Sequence, residues 1–284
     1  MPSAPSTIEV EISPLSPTLG AEVRGLDLSR PLSPDIRKRL YDVFVERHLL
    51  CFRDQDLTKR QQVMFSEQFG ELERHTLRNR GQDDEPFVHV VSNLGEDGKP
   101  TGKVASTMWH TDKSFRPLPS LATILHARTL PPEGGDTCFA DMIAAFDALK
   151  DEERTKLESM RVVHSWELSR ENIGRVMSED EKRDAPTNVW PLARTHPDSG
   201  RKCLFVGMHA SHLEGMPLEE GRSMIEALEA RATVEPFTYR HHWRQGDVLM
   251  WDNRCLLHRA DPNFDAAHLP RVLHRTCLRG TAPV

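Results

Sequence analysis

Met108-Trp109-His110-Thr111-Asp112 contains a histidine and an aspartate two residues apart. On an extended segment residues i and i+2 project from the same face, so an imidazole and a carboxylate there can converge on one ion. A third ligand has to come from elsewhere, and His258, following the apolar run that begins at Val248, is the best placed. Two histidines and one carboxylate on one face of an octahedron leave three positions open. That arrangement suits non-haem Fe(II), whose open positions accept a bidentate co-substrate and then O₂. By itself the pair is a weak signal: among fourteen histidines, a surface histidine beside a solvated aspartate is the commoner outcome.

Pro270-Arg271-Val272-Leu273-His274-Arg275 adds two arginines to an otherwise apolar, strand-prone segment. Alternation places Arg271, Leu273 and Arg275 on one face, where an unpaired cation is costly to bury. Guanidinium forks match carboxylates. Such a pair could hold a dicarboxylic co-substrate and an anionic substrate, or could be neutralised by internal acids.

The elements that would position these residues are mostly short strands. Leu49–Phe52, Phe87–Val91, Leu121–Ala127, Lys202–Val206, Val248–Trp251 and Val272–Leu278 are apolar runs bounded by Gly, Pro, Asp or Asn. Ser33-Pro34 suits the N-cap and first position of a helix whose apolar face is Ile36, Leu40, Val43 and Phe44. Thr58 and Gln61 read as a capping box for a second helix, with Gly70 as its stop. Helices are also expected over Asp141–Met160 and Leu218–Ala232. Helices inserted among irregularly spaced strands disfavour a doubly wound α/β fold. They favour a mainly β sandwich or jelly roll with peripheral helices, in a single domain over residues 1–284.

Composition narrows the function classes. The 284 residues are 38% apolar and 28% charged with a net charge of −6, so no basic field draws the chain to nucleic acid or anionic lipid. Five scattered cysteines lack a C-x-x-C pair, which argues against a disulfide framework or zinc ribbon and for a reducing cytoplasmic setting. No signal-peptide pattern or membrane-spanning apolar run is present. Nor is there a G-x-S-x-G, P-loop or dinucleotide fingerprint. His209, His212 and the His241-His242 pair lack an accompanying acid or cysteine at ligand spacing, so a second metal is not expected. His241 is a candidate for lining the pocket, and Cys138 and Cys255 for the core.

Together, Trp109–Asp112 (W-H-T-D), Gly134–Thr137 (G-G-D-T), Trp251–Arg254 (W-D-N-R), Leu257–Arg259 (L-H-R) and His274–Thr276 (H-R-T) resemble the ordered motifs of the taurine/2,4-dichlorophenoxyacetate dioxygenase family. The resemblance covers nearly the whole chain, from Leu19–Val23 to the C-terminal arginines. It implies a double-stranded β-helix (jelly-roll) core, Fe(II) on His110, Asp112 and His258, and 2-oxoglutarate held by Thr137 and Arg271, with O₂ as the oxidant. Arg275 matches the arginine that grips the anionic group of the substrate. The stretches Trp190–His196, Ser199–Lys202 and His209–Gly215 resemble the 2,4-dichlorophenoxyacetate branch most.

His75 falls where taurine-type enzymes have a substrate-binding histidine. Arg78 and Ser106 replace an aromatic residue and an asparagine of those enzymes. These differences lie where a substrate is read and put taurine in doubt; the expected substrate is a small anionic aryloxyalkanoate, with taurine, an alkylsulfonate or a sulfate ester as the alternative. The polar stretches 74–82 and 168–186 are candidate lids, and the resemblance also implies a homo-oligomer. A non-catalytic 2-oxoglutarate-binding module and a zinc hydrolase are the readings from other classes. The first has no reason to keep all five site residues, and the second has no use for Thr137 and Arg271.

Overall fold

A computed structural model of the chain describes residues 10–74, 85–171, 174–179, 182 and 187–284. In chain order the first elements are β1 (Glu11–Pro14), β2 (Ala21–Arg24), α1 (Pro34–Arg47), β3 (Leu49–Phe52), α2 (Lys59–Ser66), β4 (His89–Ser92) and β5 (Ser120–Thr129). Then come β6 (Thr137–Asp141), α3 (Met142–Asp147), α4 (Asp151–Glu158), β7 (Arg161–His164), α5 (Trp166–Glu171), β8 (Asn188–Pro191), β9 (Ala193–Thr195) and β10 (Lys202–Leu204). The last are β11 (Ala210–Leu213), α6 (Leu218–Ala232), β12 (Thr238–His241), β13 (Val248–Asp252), β14 (Leu256–Ala260) and β15 (Val272–Arg279).

The fold is mainly β, a jelly roll with peripheral helices. One layer is a seven-stranded sheet in the order β1-β2-β3-β13-β5-β15-β4, antiparallel except between β2 and β3. The facing layer is β12-β6-β14, and a bridge between His110 and His258 adds the W-H-T-D segment beside β14. Successive strand side chains point to opposite faces, so the central strands feed two cores at once. Leu249 and Trp251 of β13 and Leu125 of β5 face inward, against Phe139 of the smaller sheet. Val248, Met250 and Ile124 face outward under Leu40 and Phe44 of α1 and Val63 and Phe65 of α2. This two-sided burial explains why β3 and β13 read as unbroken apolar runs, LLCF and VLMW.

The same alternation sets the site. In register, Thr123 of β5 lies opposite Trp251 on one side and Cys277 on the other, and Leu125 lies opposite Arg275. These residues share the inner-face parity of Leu125, Trp251 and Leu273, so polar and charged side chains enter the space between the sheets.

Local signals behave as expected in the helices. The Ser33 side chain accepts from the Ile36 N–H, and Thr58 and Gln61 form the reciprocal capping box. Other boundaries move. Helix α2 ends at Ser66, before Gly70, because Gln68 and Phe69 close tighter i→i+3 turns onto Phe65 and Ser66. The helix expected over Asp141–Met160 is two: Asp141 caps α3 through its carboxylate, and the chain breaks between Asp147 and Asp151 before α4. The first expected strand after α2 begins at His89, not Phe87. Among the described residues no helix is long and apolar enough to cross a membrane, and all five cysteines are buried and free.

Candidate active site

His110 reaches the site from a single bridge residue, not from a strand. Its backbone exchanges hydrogen bonds with His258 (N to O 3.0 Å and 2.8 Å), after which the chain turns and delivers Asp112. The expected extended i, i+2 geometry is therefore replaced by a bridge followed by a turn. His258 lies within β14, not at the end of the preceding apolar strand. The ligand atoms of His110, Asp112 and His258 nevertheless lie within 4.8 Å of one another, all three residues buried. His258 Nε2 and Asp112 Oδ2 are 3.9 Å apart, too far for a direct hydrogen bond.

Protonation states favour metal binding. The His110 Nδ1 lies 2.9 Å from the Met108 carbonyl, which can only accept, so Nδ1 carries the proton and Nε2 keeps its lone pair. Burial lowers the basicity of both His110 and His258 and keeps their rings neutral. Burial alone would raise the Asp112 carboxyl, but the Arg275 cation, with a hydrogen bond from Thr123, outweighs it and holds it well below the usual carboxylate range. Two neutral imidazoles and one ionised carboxylate are a donor set that fits a divalent ion of the Fe(II) type.

The same cleft is lined by His110, His258, Ser106, Thr137, Arg271 and Arg275. The two glycines of G-G-D-T set its far end. Gly134 (φ +76°) passes so close to the Asn263 backbone that a Cβ there would lie 2.1 Å from the Asn263 carbonyl oxygen, which only glycine tolerates. The turn aims the Gly135 carbonyl at Arg271, whose Nε donates to it at 2.8 Å. Asn93 fixes the backbone of Arg271 by accepting from its N–H at 2.8 Å. Burial pushes Arg271 down to about 10, so it stays charged at neutral pH. Arg271 Nη2 lies 3.4 Å from the Thr137 hydroxyl oxygen, and the Trp243 indole N–H donates to that oxygen at 3.0 Å. With two donors on its oxygen, Thr137 has its own proton free for an acceptor in the cleft.

Both arginines expected to face inward do so, but they differ in partner. Arg271 meets neutral groups, whereas Arg275 lies 3.4 Å from an oxygen of Asp112. Ser106 lines the cleft in a left-handed conformation (φ +60°), its carbonyl accepting from Ala260. His75 and Arg78 lie outside the described residues, as does much of the two polar stretches read as lids. His241 does not line the cleft: it pairs with Asp247 at 3.0 Å and packs on Trp243. Two further clusters, Cys51–His241–Asp247 and His196–Asp252–Cys255, each have their carboxylate neutralised by an arginine, Arg53 and Arg254 respectively. Sequence reading missed the supporting residues Asn93, Thr123, Trp243 and Asn253. For Asn253 the W-D-N-R motif was the signal, without a role attached.

The model of the taurine catabolism dioxygenase TauD/TfdA family matches residues 11–277. The chain belongs to this family. It is therefore a dioxygenase, and its family relatives span nearly its full length. It is 39% identical over 265 residues to the alpha-ketoglutarate-dependent 2,4-dichlorophenoxyacetate dioxygenase of Cupriavidus pinatubonensis, covering 89% of this chain and 92% of that one. It is 33% identical to the (S)-phenoxypropionate/alpha-ketoglutarate-dioxygenase of Delftia acidovorans, covering 95% of each. Among solved structures, AAD-2 in complex with Mn(II) and N-oxalylglycine superposes with a TM-score of 0.86 at 36% identity, covering 97% of this chain and 98% of the other. This TauD/TfdA member thus has both the family's jelly roll and a two-histidine, one-carboxylate cluster whose histidines line a cleft.

Proposed function

We propose that this chain, acting as one catalytic domain, is an Fe(II)- and 2-oxoglutarate-dependent dioxygenase that hydroxylates a small aryloxyalkanoate. The observation that carries this reading is one cleft lined by His110 and His258, with Asp112 beside them, and by two arginines with different surroundings. His110, Asp112 and His258 would hold the metal. Arg271, clamped by Gly135 and Asn93, would pair with the far carboxylate of 2-oxoglutarate while Thr137 donates its free proton to it. With Fe(II) bound, the chemistry available is oxidation of a C–H bond by O₂, coupled to decarboxylation of 2-oxoglutarate to succinate and CO₂.

The protein's own share is placement and exclusion of water. Arg275 lies on the metal side of the cleft, next to Asp112, so a carboxylate on Arg275 brings its neighbouring carbon toward the ligands. Ser106 borders the same space. For an aryloxyacetate, hydroxylation at that carbon yields a hemiacetal that collapses to a phenol and glyoxylate. The relatives named for 2,4-dichlorophenoxyacetate and phenoxypropionate support this substrate class.

The test is succinate formation from 2-oxoglutarate with Fe(II) and O₂, against phenoxyacetates, both 2-phenoxypropionate enantiomers, taurine and an alkyl sulfate, with His110→Ala alongside. Phenol release coupled to succinate, absent in the variant, is expected. Turnover confined to the sulfur-containing anions would overturn the substrate class while keeping the chemistry.

A further inference from the structure

We infer that Asn253 and Thr123 form a one-way hydrogen-bond chain that sets the orientation of the Asp112 carboxylate, making both of them positioning residues for the metal. This rests on the metal site proposed above and extends it to residues outside the cleft lining.

Asn253 occupies the turn between β13 and β14 and is 1% exposed; Thr123 lies in β5 and is fully buried. The orientation of the Asn253 amide is fixed by its surroundings. One side-chain atom faces two obligatory donors, the Trp251 indole N–H at 3.1 Å and the Asp112 backbone N–H at 3.3 Å. That atom is therefore the oxygen, and the other is the NH₂ group. Asn253 Nδ2 donates to Thr123 Oγ1 at 2.9 Å. Thr123 has a single hydroxyl proton, and it is directed to Asp112 Oδ2 at 2.5 Å. The remaining neighbour, Cys277 Sγ at 3.6 Å, is a weak partner in either role. The donor order is thus Asn253 to Thr123 to Asp112.

Asn253 is itself held on its backbone. Its carbonyl accepts from Thr111 Oγ1 at 2.6 Å and Arg194 Nη2 at 2.7 Å, and its N–H donates to Leu121 O at 2.9 Å. Thr123 therefore grips one oxygen of Asp112 from a fixed base, while Arg275 approaches the other at 3.4 Å. Rotation of the carboxylate would break both contacts. Trp251, bonded to the same Asn253 oxygen, also packs on the His258 ring with centroids 4.7 Å apart. One turn residue of the W-D-N-R motif thus supports the segments carrying two of the three proposed ligands. Groups that orient a metal ligand contribute about 10- to 100-fold to metal affinity.

The test is Mn(II) binding to the full-length protein, followed by loss of the free-ion electron paramagnetic resonance signal, with His110→Ala marking the site. Wild type and Thr123→Ser, which keeps the donor, should bind one Mn(II) alike. Thr123→Val, which keeps the shape and loses the proton, should bind about 10- to 100-fold more weakly. Thr123→Ala, also without a donor, should fall with it and carries the comparison with Thr123→Ser if the valine variant does not fold. Wild-type affinity in the folded valine and alanine variants would overturn the chain, even if the metal-free proteins melt lower, since that pattern marks a purely structural role. Absence of Mn(II) binding in the wild type would instead overturn the metal site itself, and the inference with it.

Discussion

Arg275 Nη1 lies 3.4 Å from Asp112 Oδ1, so the arginine assigned to the substrate also touches the carboxylate assigned to the metal. The contact is long and leaves donor capacity, since Arg275 Nε is buried without a hydrogen-bond partner among the described residues. A substrate carboxylate would occupy that capacity while the Asp112 contact keeps the guanidinium turned toward the metal side. We expect Arg275→Gln to lower kcat/KM for an active aryloxyalkanoate by roughly 10- to 100-fold, the effect of losing about 1.5–3 kcal/mol of charged hydrogen bonding. The loss should appear in the substrate KM and leave the KM for 2-oxoglutarate in place. Steady-state kinetics with each substrate varied in turn check this; a rise confined to the 2-oxoglutarate KM would reverse the roles given to Arg275 and Arg271.

Metal binding should be visible in stability. The three proposed ligands come from two distant parts of the sequence, residues 110–112 and 258, so an ion bridging them favours the folded chain over the unfolded one. At a free metal concentration about 100 times the dissociation constant, the gain is about 2.7 kcal/mol, or roughly 4–5 °C in Tm for a chain of this size. Thermal denaturation with Mn(II), and again after excess EDTA, measures it. The shift should vanish in His110→Ala and Asp112→Asn. An equal shift in those variants would place the stabilising ion elsewhere.

Gly135 connects the G-G-D-T turn to Arg271 in a way that predicts a selective defect. Its φ is +68°, and a Cβ there would lie 3.1 Å from Arg271 Cδ, Arg271 Nε and Pro131 Cγ. Gly135→Ala should therefore cost about 1–2 kcal/mol of stability through the left-handed backbone alone. It should also push the guanidinium off the Gly135 carbonyl and raise the 2-oxoglutarate KM roughly tenfold, equivalent to about 1.4 kcal/mol. Mn(II) affinity should stay at the wild-type value. Equilibrium unfolding, kinetics and Mn(II) titration separate the effects, and a parallel loss of Mn(II) affinity would show that the turn acts on the whole site.

The residues legible in the sequence were those whose chemistry is conspicuous where it stands. His110, Asp112, His258, Arg271 and Arg275 are charged or metal-binding groups in apolar, strand-like surroundings, and the structure gathers all five around one cleft. The caps of α1 and α2 were legible because Ser33 and the Thr58–Gln61 pair act on backbone only a few residues away. Long-range relations were not. β6 and β14 carry short runs whose pairing, Phe139 opposite His258, is fixed by tertiary register rather than by either segment. Thr123 looks like an ordinary strand threonine, and only the folded chain puts it beside Asp112. The extended geometry assumed for His110–Asp112 failed because a lone bridge to His258 replaces a continuous strand.

His164 should make stability fall on the acid side of neutrality. It is fully buried, with Nε2 3.2 Å from the Phe205 carbonyl and Nδ1 2.8 Å from the Ser114 hydroxyl. A carbonyl only accepts, so Nε2 carries the proton and the neutral ring accepts from Ser114 at Nδ1. Burial pushes its pKa down to about 3, against the opposing bond to Phe205 and with help from Arg194. An unfolded histidine titrates near 6.5, so between about pH 6.5 and 3 the unfolded chain binds a proton that the folded chain refuses. Stability from this group is fully present above that window and is lost as pH falls through it, amounting to about 2 kcal/mol between pH 7 and 5. Denaturant unfolding of wild type and His164→Gln at both pH values isolates the contribution, since the other histidines are common to the two proteins. The variant should be less stable at pH 7 and lose about 2 kcal/mol less than wild type on going to pH 5. Equal losses in the two proteins would mean that His164 is protonated in the folded state, and that its bond to Ser114, two residues beyond Asp112, is made by an imidazolium.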